Sequence, residues 1–541
     1  MHLALYRDEP SSRVHFDRFV DNSLLDRLKA LNSKARRKGL ASLDPERNPL
    51  IGLGMEISGR RVLRSGYGVF HLAWQAREHP ELPETVASEL DQIRLAVRKA
   101  HGVPLRNAIW VGGGAAAEEK LAYSAAGLLK RGPRCYVLES ASSLRLSAIL
   151  DELASRARAP LAAALKSTLV AASPAENVDL LAAVYQRCRV DMRSNLVRVK
   201  APADVLAGWH CAPLGRSSLY ALGLAKVDLR SWIEGTFLTE DEVHTAWLLS
   251  AFVHAQGVHG RDKITLLLPK AWAGAAGWTR RDFEECCGAC EAPGLTIVID
   301  EPVRLANYRP PKDALQDRLF LVVQVKGAGG LSGEKLALLR RSGYPLAVLT
   351  LERGSPLSRY MQVVHYAAFG LAWLRGVNFV GQPGVGRHAA GIDPSPLRVE
   401  WARGVTVQFN SLPMERRQEL SGLDAASAYA AFLRKRAGDG RLDFAELAAL
   451  GDIRYTASGR ALRKCLEHAA EKIFRSVFKI PAAVREGTGN GRAFSTAIQL
   501  ENECEIRARS EVMIELRGTG DRTMQALDAF FRHAAAALRK R

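Results

Sequence analysis

The sequence predicts an α/β protein with two subdomains, each built on a parallel β-sheet flanked by helices, between an N-terminal helical arm and a mixed C-terminal region. Short, unbroken apolar runs alternate with longer amphipathic segments, which is the pattern of strand–helix–strand units. Most turns from a run into the next helix contain Gly, Ser or Pro, residues that suit a tight turn opening a helix. The expected domains are residues 1–95, 96–235, 236–395 and 396–541.

The N-terminal region is predicted to be mostly helical. Leu24–Leu31 and Asp91–His101 both have apolar residues at helical spacing. Between them, Met55–Trp74 mixes Gly with residues that favour strands, which indicates a hairpin or an extended arm.

The first subdomain contains four expected strands, namely Asn107–Val111, Cys135–Leu138, Thr168–Ala172 and Leu196–Val199. The first strand runs into Gly112-Gly113-Gly114 and a helix, and the third runs into Ser173-Pro174 and another helix. Free backbone N–H groups and the helix dipole make such turns natural anion sites. We therefore expect ligand contacts after these two strands.

The second subdomain opens with a βαβ unit in residues 260–302. Ile264–Leu268 and Leu295–Ile299 are short apolar runs, typical of parallel strands buried on both faces. The amphipathic segment Trp278–Glu291 is long enough to be the crossover helix. Ligands of open α/β sheets bind at the carboxyl ends of such strands. Further expected elements are the strands Leu319–Val325 and Leu346–Leu351 and an Ala-rich C-terminal helix, Met524–Arg539.

The composition excludes several classes of protein. The 541 residues are 47% hydrophobic and 25% charged, which is typical of a globular chain. The sequence contains no apolar run of about 18 residues that could span a membrane. The start, MHLALYRDEPSS, lacks the basic-then-apolar pattern of a signal peptide, so we expect a cytoplasmic protein. Eight cysteines in a chain of this length favour reduced thiols over a disulfide framework.

The chain is basic, with a formal net charge of +19 and a pI near 9.7. Such a balance attracts polyanions and anionic substrates alike. Nucleic-acid binding is not expected, because the sequence has neither zinc-finger spacing nor RNP aromatic residues. Cys286-Cys287-x-x-Cys290 has no second cysteine pair at zinc-site spacing, so we expect no metal and no other cofactor.

Two segments resemble a known enzyme family. LGRSSLYALGLAKVDLRSWIEG (Leu214–Gly235) is similar to the GGR-[FY]-S signature region of phosphoglucose isomerases, and GVNFVGQPGVG (Gly376–Gly386) is similar to their N-P-F-D-Q-P-G-V-E segment. More loosely, REGTGNGRAF (Arg485–Phe494) resembles the L-H-S-T-G-Q…K-G-G segment of the isomerase half of transaldolase–phosphoglucose-isomerase fusions. The likeness covers roughly residues 95–395 and implies two SIS-type subdomains, in agreement with the strand pattern.

The resemblance implies an aldose–ketose isomerase that commonly forms a homodimer. A carboxylate base of this family moves a proton between C1 and C2 through a cis-enediol, and a cation stabilises the enediolate oxygens. The Arg of the signature corresponds to Arg216. The base of the A-E-S-x-G-K motif, counted back from Asp300-Glu301-Pro302, falls at Cys286, and a one-residue slip places it at Glu285. Because neighbouring helical residues point about 100° apart, that slip decides whether a base is present.

The QPGV segment is implied to supply further site residues. The family's Lys after this segment falls at Ala389, and its Glu corresponds to Gly386. Arg387 and His388 lie beside these positions, and His388 is the candidate for opening the sugar ring. Gln382 is retained and is expected to contact the substrate.

The family's phosphate-binding residues are only partly present. The S-K-S-G-T-T loop appears as Ala171–Glu176, in which one Ser remains, both Thr are absent and Glu176 would repel a phosphate. The G-G-S-S segment appears as Gly113-Gly114-Ala115-Ala116, with both Ser lost. The candidate substrate contacts that remain are Gly112, Gly113 and Ser173.

Two functions therefore stay open. The first is a glucose-6-phosphate-isomerase-like enzyme with a remodelled site, acting on a phosphorylated or otherwise anionic sugar. The second is a catalytically inactive relative that binds a sugar phosphate or a partner enzyme. The retained Arg216 and Gln382 favour the first function, whereas the lost base, Lys and phosphate-loop hydroxyls favour the second.

Overall fold

The computed structural model describes residues 1–6, 22–38, 56–57, 60–61, 73, 76–77, 79–138, 143–173, 176–199, 213–287, 295–375, 396–410, 412–486, 494–500, 510–518 and 520–540. The chain divides into two compact units. The first unit comprises Met1–Ala141, Arg156–Ile299 and Gln316–Val385, and the second comprises Ser142–Ser155, Asp300–Leu315 and Gly386–Arg541.

The strands are, in chain order, β1 (His2–Tyr6), β2 (Glu56–Ile57), β3 (Arg60–Arg61), β4 (Asn107–Val111), β5 (Arg134–Leu138), β6 (Thr168–Ala172), β7 (Leu196–Arg198), β8 (Lys263–Leu267), β9 (Thr296–Val298), β10 (Arg318–Val325), β11 (Leu346–Leu351), β12 (Leu397–Glu400), β13 (Val405–Phe409), β14 (Ala445–Leu450), β15 (Ala482–Glu486), β16 (Phe494–Leu500) and β17 (Val512–Leu516).

The helices are α1 (Asn22–Lys38), α2 (Leu82–His101), α3 (Gly114–Ala125), α4 (Ser143–Ala157), α5 (Leu161–Lys166), α6 (Asp179–Arg187), α7 (Arg216–Leu224), α8 (Leu229–Gly235), α9 (Glu240–Val258), α10 (Ala275–Cys287), α11 (Gly333–Arg341), α12 (Leu357–Leu374), α13 (Met414–Ser421), α14 (Ala425–Gly438), α15 (Ala457–Ala469) and α16 (Asp521–Arg539), with a π-helix at Ala470–Phe478.

The first unit contains two sheets made mainly of parallel strands. One has the order β5-β4-β6-β7 and is parallel throughout, with Asn107 of β4 in register with Arg134 and Thr168 of its neighbours. All five residues of β6 are buried, as expected for a strand covered on both faces. The predicted fold class, α/β with parallel sheets flanked by helices, is confirmed.

The other sheet of the first unit has the order β1-β11-β10-β8-β9. Its strands are parallel except for β1, which joins the edge in antiparallel register, with His2 opposite Thr350. The sequence indicated no strand at the start of the chain, because the residues that pair with β1 lie more than 300 positions away. The short antiparallel pair β2–β3 lies inside the segment predicted to be a hairpin or extended arm.

Helices of the first unit approach one another closely where small residues permit it. Just before α10, an added Cβ at Gly274 would lie 2.2 Å from the Cβ of Ala125, so this glycine allows α10 to pack against α3. Helices α9 and α12 also pack together, and Ser250 Oγ donates a hydrogen bond of 2.9 Å to the carbonyl of Ala367. These contacts bury the apolar faces of the helices in one hydrophobic core.

The second unit contains a six-stranded sheet with the order β12-β13-β17-β16-β14-β15. The last four strands in this order are parallel, whereas β12 and β13 are antiparallel to their neighbours. The sheet packs with α14, α15, the π-helix and α16 in a second hydrophobic core, where Tyr429 contacts Phe530 and Phe531. Among the described helices of the whole chain, none is long and apolar enough to cross a membrane.

Candidate functional site

The strand order of the all-parallel sheet creates a crevice at one position. The chain leaves β4 toward β5 on one side, and it leaves β6 toward β7 on the other. The loops after these two adjacent strands therefore diverge at their carboxyl ends, which is where ligands of open α/β sheets bind. The structure places the predicted contacts Gly112, Gly113 and Ser173 in these two loops.

The turn after β4 depends on glycine. Gly112 has φ +150° and Gly114 has φ +63°, conformations that other residues rarely adopt. The Gly112 N–H donates a hydrogen bond of 3.1 Å to the carbonyl of Leu138 on the neighbouring strand end. Helix α3 follows with Gly113 as its N-cap, so no side chain caps it, and its first turn contains no acidic residue. The positive end of the α3 dipole thus faces the crevice without an acidic residue in its own first turn.

The turn after β6 is held by Arg198, at the end of β7. Its Nη1 donates hydrogen bonds to two backbone carbonyls, that of Ser173 at 3.0 Å and that of Glu176 at 2.7 Å. The N–H of Glu176 also donates to the carbonyl of Ser173, at 3.2 Å. Sequence reasoning missed Arg198. Its position in the sequence could have indicated it. A cation at the carboxyl end of a parallel strand lies at the same edge of the sheet as the loops that follow the neighbouring strands.

The carboxylate of Glu176 lies against the glycine turn. Its Oε1 is 3.5 Å from the position that a Cβ on Gly112 would occupy. This is an ordinary van der Waals distance, so the carboxylate lies directly beside the turn. The crevice consequently contains an acidic group beside the turn at which a phosphate was expected.

Arg216 is the first residue of α7, and its polar partners lie toward α2. Its Nη2 is 3.0 Å from Oε1 of Glu89, and the Tyr220 hydroxyl donates a hydrogen bond of 2.8 Å to the other oxygen of that carboxylate. Burial, and after it the contact with Glu89, raises the pKa of Tyr220 to about 12. A cation at a helix N-terminus opposes the helix dipole, and Glu89 offsets this by pairing with it. In this arrangement Arg216 is a salt-bridge partner of Glu89.

A buried polar cluster joins the first turn of α7 to α3. Ser218 Oγ donates a hydrogen bond to Oε1 of Glu119, and the Tyr123 hydroxyl donates to the same oxygen at 2.8 Å. Lys120 Nζ lies 2.5 Å from Oε2 of Glu119. All four side chains are almost fully buried. Sequence reasoning did not single out this cluster, because Glu119 and Lys120 appear in the sequence as ordinary charges on a helix.

The predicted base lies on α10. Glu285 and Cys286 belong to the last turn of this helix, but their side chains are outside the part of the chain that the structure describes. One turn earlier, Asp282 is buried against His365 of α12, with 3.2 Å between its Oδ1 and the Nδ1 of the imidazole. Trp278 packs edge-on against that imidazole. Asp282 therefore belongs to the interface between α10 and α12.

The predicted residues Gln382 and His388 lie in residues 376–395, outside the described residues. The structure thus brings together Gly112, Gly113 and Ser173, and it pairs Arg216, the first residue of α7, with Glu89 of α2. Within the described ranges, no three His, Cys, Asp or Glu side chains converge in a way that could hold a metal ion.

No protein-family model matches the chain, and no curated protein matches it. Among solved structures, a hypothetical protein from Thermus thermophilus is 16% identical, covers 71% of this chain and 97% of its own, and has a TM-score of 0.43. A glucose-6-phosphate isomerase from Chlamydia trachomatis is 12% identical, covers 68% of this chain and 84% of its own, and has a TM-score of 0.48.

A candidate tagatose-6-phosphate ketose/aldose isomerase from Clostridium novyi is 11% identical, covers 59% of this chain and 91% of its own, and has a TM-score of 0.34. The structural neighbours thus include sugar-phosphate isomerases at low sequence identity.

Proposed function

We propose that this chain interconverts the aldose and ketose forms of a phosphorylated or otherwise anionic sugar, in the crevice between the loops after β4 and β6. The observation that supports this most directly is the meeting of Gly112, Gly113 and Ser173 at the point where the strand order reverses. The start of α3, which has no side-chain cap, adds a positive dipole at the same place. The motif around Arg216 supplies the link to isomerase chemistry.

The proposed reaction is a proton transfer. Glu285 would remove the proton from C2 of the open-chain aldose and deliver a proton to C1, while the hydroxyl proton moves from O2 to O1, giving the ketose. Between the two steps the proton on Glu285 can exchange with solvent. The enediolate between these steps carries negative charge on oxygen, and Arg216 would stabilise that charge. His388 would open the sugar ring, and Gln382 would hold the substrate. Ser173 and the Gly112–Gly113 turn would bind the far end of the sugar.

A second candidate function is binding without catalysis. The ion pair between Arg216 and Glu89 and the position of Glu176 beside Gly112 favour this alternative. Such a protein would retain the crevice and recognise a sugar or a partner enzyme there, but it would not exchange protons with the ligand.

Isotope exchange tests the proposal. We would incubate the purified chain with fructose 6-phosphate or with fructose in deuterated water and follow deuterium at C1 and C2 by NMR. We expect exchange with at least one ketose, and we expect Glu285→Gln to abolish it. Glu284→Gln is the matched control, since this residue precedes Glu285 on α10 and points about 100° away.

Two results would contradict the isomerase proposal, and a third would contradict only the role of Glu285. A thermal shift with these sugars but no exchange would indicate the non-catalytic relative. Neither exchange nor a thermal shift would mean that the crevice serves another ligand. Equal loss of exchange in Glu285→Gln and Glu284→Gln would remove Glu285 from the role of base.

A further inference from the structure

We propose that Glu176 is a specificity-determining residue that disfavours phosphate at the Gly112 turn. The sugar that binds there would present hydroxyl groups at this end, with any charge elsewhere in the molecule. The inference rests on the proposed function and narrows it, because it selects among the phosphorylated and otherwise anionic sugars that the proposed function leaves open.

The carboxylate of Glu176 lies close to the Gly112 turn. Oε1 and Cδ of Glu176 lie 3.5 and 3.8 Å from where a Cβ on Gly112 would be. These are van der Waals distances, so the carboxylate lies directly beside the turn. A phosphate held by the loops after β4 and β6 would lie next to this carboxylate.

The start of α3 carries the positive end of the helix dipole. This helix has Gly113 as its N-cap and no acidic residue in its first turn, so an anion from another element is favourable there. Glu176 supplies one negative charge beside this turn from the loop after β6. A phosphate dianion bound alongside would meet a like charge within a few ångström, which strongly disfavours binding in a partly buried crevice.

Hydrogen bonds anchor the backbone of Glu176. Arg198 donates to the backbone carbonyls of Ser173 and Glu176, and the N–H of Glu176 donates to the carbonyl of Ser173. These bonds hold the backbone of the turn and use none of the carboxylate oxygens of Glu176. A carboxylate is an acceptor, so it can receive hydrogen bonds from sugar hydroxyls but not from a phosphate dianion.

Calorimetric titration of the full chain tests the inference with three probes: inorganic phosphate, fructose 6-phosphate and fructose. Three proteins are compared, namely the wild type, Glu176→Gln and the control Asp179→Asn. Asp179 is exposed at the start of α6, so its substitution removes the same charge three residues away without touching the Gly112 turn. The chain carries a charge of +19, which attracts phosphate to any part of the surface. The difference in phosphate affinity between the two variants is therefore more informative than either affinity alone.

We expect Glu176→Gln to bind fructose, which carries no phosphate, no more tightly than the wild type does. We expect Glu176→Gln to bind phosphate and fructose 6-phosphate at least about tenfold more tightly than the wild type, and Asp179→Asn to stay within about twofold. The gain should shrink at high salt, because ions screen the repulsion. These binding measurements need no turnover, so they succeed or fail independently of the isotope-exchange test.

Unchanged or weaker phosphate binding in Glu176→Gln would overturn the inference, and it would make Glu176 only a charge that complements the α3 dipole. A gain in fructose affinity in Glu176→Gln as large as the gain in phosphate affinity would also overturn it. If Glu176→Gln does not fold, Glu176→Asp retains the charge but withdraws it by one methylene. This variant should bind phosphate more tightly than the wild type, and a failure to do so would again contradict the inference.

Discussion

Arg216 and Glu89 form an ion pair between the start of α7 and α2, with 3.0 Å between Nη2 and Oε1, and Tyr220 donates to the second oxygen of the same carboxylate. Both charged side chains remain partly accessible, at 25% for Arg216 and 32% for Glu89. Solvent therefore screens the pair, and its contribution to folding is small. This small contribution makes it possible to separate a structural role of Arg216 from a catalytic one.

Arg216→Gln is expected to lower the free energy of unfolding by about 1 kcal/mol or less, as for other partly exposed ion pairs. The same substitution should reduce isotope exchange by at least about 100-fold, because it removes a cation from the enediolate. Urea unfolding and NMR exchange measure the two effects. Glu89→Gln breaks the same ion pair and is the control. If it reduces exchange as much as Arg216→Gln does, then Arg216 acts only by holding α7 to α2.

Glu119→Gln should be strongly destabilising. It removes the carboxylate that Ser218, Tyr123 and Lys120 share in the interior, and it leaves the buried charge of Lys120 without that partner. Breaking a buried ion pair in this way costs about 3–5 kcal/mol. Tyr123→Phe is the matched control, because it removes one hydrogen bond at a cost of about 1 kcal/mol. Urea unfolding gives both values, and a smaller cost for Glu119→Gln than for Tyr123→Phe would contradict the importance of this cluster.

The buried thiol of Cys287 makes the stability of the chain sensitive to alkaline pH. Burial is the main cause that raises its pKa to about 12 from an ordinary value of 9.0. Between these two values the thiol ionises in the unfolded chain but stays protonated in the native one. Its contribution to stability is therefore complete below about pH 9 and is lost at about 1.4 kcal/mol per pH unit above it.

Cys287→Ala checks this expectation. Urea unfolding at about pH 8 and about pH 10 should show a decrease in stability that is smaller in the variant than in the wild type by about 1.4 kcal/mol. Other groups that titrate in this pH range affect the stability of both proteins equally, so their effect cancels in the comparison. Equal decreases in both proteins would show that Cys287 does not ionise on unfolding in this range.

Asp452, in the second unit, contributes to the stability of the chain, and this contribution is sensitive to acidic pH. Burial alone would raise its pKa, but hydrogen bonds from the Thr456 hydroxyl and from the N–H groups of Tyr455, Thr456 and Arg454 outweigh burial and lower it. Its contribution is therefore present above the ordinary value of 3.8 and is lost as the pH falls below it.

Asp452→Asn is expected to cost about 2 kcal/mol at about pH 7, because hydrogen bonds to a charged acceptor become bonds to a neutral one. The difference between the wild type and the variant should shrink as the pH falls below about 3.8. Urea unfolding across this pH range measures it, and a difference that does not change with pH would rule out ionisation of Asp452 as its source.

Much of the fold could be predicted from local sequence patterns. The apolar runs at β4, β6 and β8 and the amphipathic segment at α10 lie where they were expected. The all-glycine turn from Gly112 was expected to open a helix, and it does so. The edge strand β1 could not be predicted, because its five residues become a strand only by pairing with β11.

The site was less accessible to sequence reasoning. Gly112, Gly113 and Ser173 could be selected because turn chemistry is local. The contacts of Glu176 with the Gly112 turn and of Arg198 with the Ser173 turn depend on which strands are neighbours, and no local pattern contains that information. The pairing of Arg216 with Glu89 joins residues 127 positions apart.

By itself the sequence determined the α/β class, most strands of the parallel sheets and the glycine turn, because periodicity and backbone freedom act over a few residues. Only the tertiary structure decided the strand order, which sets the loops after β4 and β6 side by side. It also decided the partners of the buried charges, such as Ser218 for Glu119, 99 positions away. Partners of this kind follow from packing, since a buried charge is stabilised by whichever groups the fold brings to it.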